Sequence, residues 1–219
     1  MKISKLLPIA LAFTLCTSLA AFAEDPIAAT ATYTLQLPEY LKITASDPGS
    51  AGVTSYDDGY TGVHLDKALA GTFTVITNNP DKVVYLQGSA TTTSGAVNAL
   101  FSEDDADAKK LVLVFANKTA NHIPTSDDIS NITAGSAAIA SNSNAIAFRL
   151  APSGMTNDIL STTATGTWDS TYKQVSYAID NGTTNFTYTL AQTAYPGTFS
   201  THDTMGDYVA TLTMTDTSL

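Results

Sequence analysis

Between Ala29 and Leu37 apolar and polar residues alternate without a slip. Ala29, Ala31, Tyr33, Leu35 and Leu37 take the odd positions, and Thr30, Thr32, Thr34 and Gln36 the even ones. A period of two sends all the apolar side chains to one face of an extended chain, so this stretch predicts a strand with one buried side. The same period returns at Gly71-Phe73-Val75, at Phe186-Tyr188-Leu190 and, near the far end, at Tyr208-Ala210-Leu212-Met214. Denser apolar runs at Val83–Leu86, Leu111–Phe115 and Ala145–Leu150 suit strands covered on both faces. Tyr172–Ile179 adds one more, carried by Tyr172, Val175, Tyr177 and Ile179.

Turn residues punctuate these runs. Asp47-Pro48-Gly49, Asp57-Asp58-Gly59, Asn78-Asn79-Pro80-Asp81, Asp180-Asn181-Gly182 and Tyr195-Pro196-Gly197 supply the Gly, Pro, Asn and Asp that chain reversal needs. Asp180-Asn181-Gly182, set between Tyr172–Ile179 and Asn185–Leu190, reads as a hairpin. Only Gly95–Lys110, where Ala, Asp and Lys cluster, offers room for a short helical turn. About ten short strands at regular spacing predict an all-β chain, an antiparallel β-sandwich, with a barrel as the alternative.

The first residues follow a different logic. Lys2 and Lys5 precede an apolar run from Leu6 to Leu19, and Ala21-Phe22-Ala23 then supplies small residues for a signal peptidase. The expected organisation is a signal peptide over 1–23 and a single β-sandwich domain over 24–219. The destination is then the periplasm, the cell surface or the extracellular space. The run is short for a bilayer, so no membrane span is expected once the leader is cleaved. The only cysteine, Cys16, leaves with the leader, which denies the exported part an internal disulfide. Leu15 stands before it where a lipoprotein signal would place a small residue. Loss of Lys2 and Lys5 leaves eight basic residues against twenty acidic ones, a formal charge of −12. That balance argues against nucleic acid and anionic lipid as partners, since both require basic residues. The polar remainder is rich in Thr, Ser and Asn, and Thr sits well on the solvent face of a strand.

Candidate chemistry is sparse. His64, His122 and His202 lie far apart and in no metal-binding spacing. Ser200, His202 and Asp203 have triad residue types, but a triad is assembled in space from separate segments, and no Gly-x-Ser-x-Gly elbow supports one. The expectation is a chain that is not an enzyme and needs no cofactor. Glu103, Asp104, Asp105 and Asp107 could offer oxygen ligands to calcium, although their spacing departs from the calcium-loop pattern and Lys109 and Lys110 follow directly; the competing reading is a solvated loop. Tyr56, Tyr60, Trp168 and Tyr172 fall in or near expected turns and are the candidate aromatic platform for a carbohydrate.

The two cleanest alternating segments lie near the two ends. Gly206 followed by Tyr208, Ala210, Leu212 and Met214 resembles the closing strand of bacterial fimbrial subunits, and Ile27–Leu37 resembles the N-terminal extension those subunits insert into a neighbour. Pro38–Ile43 and Gly206–Thr213 are similar to secreted β-sandwich proteins of the spore coat protein U and fimbrial kind. The resemblance implies a sandwich of immunoglobulin-like or pilin-like kind and an exported structural subunit or adhesin of a surface appendage or coat, assembling by β-strand complementation with other copies of itself or related surface subunits. Tyr33, Leu35, Leu37, Tyr208, Leu212 and Met214 would be its strand-exchange residues. Two features differ from the family: Ser218 stands where an aromatic residue is usual, and no disulfide is available. The alternative is a complete sandwich in which both segments are ordinary strands, serving as a self-contained module that binds carbohydrate or a surface partner.

Overall fold

The computed structural model describes residues 30–56, 63–103, 111–125, 144–152, 166–195, 198–199 and 202–218. Among them every regular element is a strand. In chain order these are β1 (Leu41–Ala45), β2 (Val53–Tyr56), β3 (Val63–Leu65), β4 (Ala70–Thr77), β5 (Lys82–Thr92), β6 (Gly95–Asn98) and β7 (Leu100–Ser102). They are followed by β8 (Leu111–Asn117), β9 (Ala145–Pro152), β10 (Gly166–Asp169), β11 (Gln174–Ile179), β12 (Gly182–Ala194), β13 (Tyr208–Val209) and β14 (Thr211–Thr215). The chain divides into two units, Met1–Leu37 and Pro38–Leu219, and all of these strands belong to the second.

The second unit is an antiparallel β-sandwich. Its larger sheet runs β1-β4-β12-β9-β8-β13, with β3 and β7 branching from β12 and β8 and β2 attached to β3. The smaller sheet runs β10-β11-β5-β14, with β6 on β5. The inner faces are those that the alternation assigns: Phe73 and Val75 on β4, Val84 and Leu86 on β5, and Phe186, Tyr188 and Leu190 on β12 are all buried. Central strand β8 is buried on both faces, as its unbroken apolar run requires. Tyr177 on β11 and Phe186 on β12 meet across the sandwich at 4.8 Å between ring centroids. The Tyr188 hydroxyl donates to the Tyr177 hydroxyl at 2.8 Å, so these two buried hydroxyls satisfy each other.

Three expectations change. Asp180-Asn181-Gly182 does not close a hairpin, because β11 pairs with β5 and β10 while β12 pairs with β4, β9 and β3. The turn instead carries the chain from one sheet to the other, as the turn at 78–81 does between β4 and β5. Turn chemistry fixes a reversal but not its partners. Tight hairpins occur instead between β5 and β6, where Gly95 takes φ +109°, and between β10 and β11, where the Asp169 carboxylate accepts from the Thr171 and Tyr172 amides. The stretch after Gly95 holds β6 and β7 rather than a helical turn in its described part. Finally, the segment 30–37 belongs to no strand despite its flawless alternation. Alternation prepares one face for burial, but an extended backbone becomes a strand only when its N–H and C=O groups find a partner edge.

Candidate functional site

The arm formed by residues 30–37 keeps its large apolar side chains in solvent: Tyr33 is 88% exposed, Leu35 86% and Leu37 77%. The start of the sandwich that follows is, by contrast, pinned. The Asn78 side-chain amide donates to the Pro38 carbonyl at 2.9 Å, and the Tyr40 amide donates to Asn78 Oδ1 at 2.7 Å. Lys82 Nζ lies 3.1 Å from Glu39 Oε1 and 3.4 Å from Asp216 Oδ2, joining the first residues of the sandwich to the end of its last strand. The Lys82 hydrogen bond, helped by Asn79, holds the Glu39 carboxyl below its usual range.

Within the sandwich an apolar groove lies open. On its path the small sheet is four strands wide and the large sheet six, so the large sheet's inner face extends past the roof. Among the described residues the roof ends at β14, which pairs with β5 alone and presents a free edge. Residues 206–212 and most of residues 45–53 line the groove. The groove has two compartments that share Gly49, Leu69, Phe115, Leu190 and Ala210. The larger, about 560 Å³, lies along residues 206–210 over Ile146 and Phe148; the smaller, about 280 Å³, lies along residues 210–212 over Phe73, Leu113 and Leu150. Val53 and Val209, which both line the larger one, are themselves exposed.

A polar knot anchors the strand bordering the groove. Buried Asn117 donates its side-chain amide to the Thr204 carbonyl at 3.2 Å, and Asp203 Oδ1 accepts from the Asn144 amide at 2.8 Å. The Tyr208 hydroxyl donates to the same Thr204 carbonyl at 2.9 Å. Gly206 passes so close that a Cβ there would sit 2.8 Å from Asn117 Nδ2, which explains a glycine at the opening of this strand.

The residues singled out from the sequence fare unevenly. Leu212 is half-buried and Met214 buried on β14, Tyr208 is half-buried on β13, and Tyr33, Leu35 and Leu37 are exposed. Glu103 does not lie in a solvated loop. It is buried, and its Oε1 accepts from Arg149 Nη2 at 2.9 Å and from the Tyr195 hydroxyl at 2.8 Å, with the guanidinium 5.2 Å over the Tyr195 ring. Asp104, Asp105, Asp107 and Tyr60 lie outside the described residues. Among the described residues no cluster of three metal-ligating side chains forms. Trp168 is half-buried on β10 and packs against the core, Tyr172 is exposed in the turn after it, and Tyr56 ends β2. His64 Nδ1 is 3.2 Å from Thr193 Oγ1 across the β3–β12 pairing, while Ser200 lies outside the described residues. The groove itself was missed, although the apolar faces that floor it could be read in the sequence; what was hidden is the difference in sheet width.

No protein-family model, no curated protein and no solved structure matches the chain.

Proposed function

We propose that this chain is an exported structural subunit or adhesin of a bacterial surface appendage or coat, assembling by β-strand complementation between copies. One observation carries the reading: among the described residues, an uncharged arm with strictly alternating Tyr33, Leu35 and Leu37 is exposed and in no strand, next in sequence to a sandwich whose strand β14 pairs on one side alone. A soluble chain has little reason to hold three large apolar side chains at strand spacing in water unless a partner covers them. The leader-like start, the Thr-rich sheet surfaces and the acidic charge accord with a protein that works outside the cell by shape. Light scattering on residues 24–219 against residues 38–219 tests it. Concentration-dependent oligomers that vanish on truncation, leaving a folded monomer, are the expected result. A full-length monomer that unfolds on truncation makes the arm an internal strand and leaves the carbohydrate- or partner-binding module as the better account.

A further inference from the structure

Beyond that proposed function, and independent of it, we infer that the outward face of the smaller sheet around Tyr85 is a binding site for neutral carbohydrate, with the Tyr85 ring as its stacking surface and the Gln87–Gln174 amide pair as its polar anchor.

The face follows from the alternation of its strands. Val84 and Leu86 on β5, Val175 and Tyr177 on β11 and Met214 on β14 are buried, so the residues between them point away from the core. Register then sets two neighbouring rows. Tyr85 lies between Ser176 of β11 and Thr215 of β14, and Gln87 lies between Gln174 and Thr213, with Asp169 of β10 beyond Gln174. Neighbours within a row are about 4.8 Å apart, and the two rows about 6.6 Å. Tyr85 is half-buried, and the side chains beside it in its row are short, so neither covers its ring. Trp168, by contrast, pairs with inward-facing Val175 and packs on the core.

A sugar ring presents an apolar C–H face and a rim of hydroxyls, so its site needs an aromatic surface beside fixed donors and acceptors. Here Gln87 Nε2 donates to Gln174 Oε1 at 3.1 Å, and Gln174 is only 2% exposed, which holds both amides in place. Asp169 Oδ1 accepts from the Thr171 and Tyr172 amides at 2.9 and 3.2 Å, so the carboxylate at the end of the row is fixed too. Charge selects the occupant. The chain carries a formal charge of −10, yet the five strands of the smaller sheet include only two charged side chains, Lys82 and Asp169. Lys82 is engaged by Glu39 and Asp216. An anionic glycan would meet no basic residue in these two rows and a field of like charge around them. A neutral ligand with many hydroxyls matches the hydroxyls and amides that the rows supply. On the outward face of the larger sheet, Thr72 and Thr187 instead bond each other at 2.8 Å and Thr74 donates to Asn185 at 2.7 Å, so those groups are spent on one another.

A printed array of neutral and acidic glycans, probed with the full chain, tests the site. Binding confined to neutral glycans is expected. Tyr85→Ala and Gln87→Ala should each lower that signal by about tenfold or more, and Thr74→Ala, on the larger sheet, should leave it unchanged. Tyr85→Thr, whose β-branched side chain suits a strand, separates loss of the ring from loss of the fold, and an unchanged melting temperature confirms that it does. Binding to no neutral glycan, equal binding to acidic glycans, or neutral binding that survives every Tyr85 and Gln87 substitution would each overturn the site. Light scattering on the same variants keeps the site apart from the proposed assembly. Oligomers without glycan binding would leave the subunit function standing and remove the site; glycan binding by a chain that never oligomerises would do the reverse.

Discussion

Replacing Leu35 by aspartate separates what the arm does for its own chain from what it does for an assembly. Leu35 is 86% exposed, so its loss takes almost no buried apolar surface from the free chain. The dilute monomer should therefore unfold within about 0.5 kcal/mol of the unaltered protein, the range usual for surface substitutions. In the proposed assembly the same side chain passes from water onto an apolar surface of a second copy, of the kind that Phe73, Leu113 and Leu150 line in the groove. Burying a leucine there contributes about 1.5–3 kcal/mol, and an aspartate must shed its water or take up a proton, which costs roughly 1–3 kcal/mol more. A total of about 3–6 kcal/mol weakens association by roughly two to four orders of magnitude, at about 1.4 kcal/mol per decade. Static light scattering over a concentration series reads that shift, and thermal melting at the lowest concentration reads the monomer. Leu35→Ile, which keeps the apolar volume, should assemble nearly as the unaltered chain does. If Leu35→Asp assembled at unchanged concentrations, or if it lowered the monomer's melting temperature as a core substitution does, the reasoning would be refuted.

Two further outcomes concern the sandwich itself. Gly88 lies where β5 crosses β7, and a Cβ there would sit 2.7 Å from Leu100 Cβ and 3.2 Å from Leu113 Cδ1; Gly88→Ala should cost about 1–3 kcal/mol, read as a lower urea midpoint, and an unchanged midpoint would contradict so close a crossing. Burial pushes the Tyr177 hydroxyl up to about 12 against the opposing pull of its Tyr188 hydrogen bond, and burial raises Tyr188 as well. A raised value in the fold means that the unfolded chain ionises first, so stability is full below about pH 10 and falls as pH climbs toward 12, by about 1.4 kcal/mol per unit for each tyrosine. Urea midpoints at about pH 9, 10 and 11 should show that fall, and Tyr177→Phe combined with Tyr188→Phe should flatten it.

The faces of the strands were legible because they depend on nothing but the chain's own period. Phe73 and Val75, Phe186 and Tyr188, and Tyr208 to Met214 turn inward as their alternation requires. Glu103 was not legible, because its surroundings come from Arg149 on β9 and Tyr195 just past the end of β12, which only the pairing of β7 with β8, β8 with β9 and β9 with β12 brings alongside. The turn at 180–182 misled for a related reason: its residues specify a reversal, and the same reversal serves a hairpin or a step between sheets.

The sequence by itself thus determined an all-β chain, the inward side of most strands, and the alternation of residues 29–37. Only the tertiary structure decided which edges meet, that β14 ends the narrower sheet, and that a groove opens beside it. Side-chain alternation is a local property, set by the extended backbone two residues at a time. Strand pairing is not, since backbone hydrogen bonds are alike at every edge and long-range packing chooses among them.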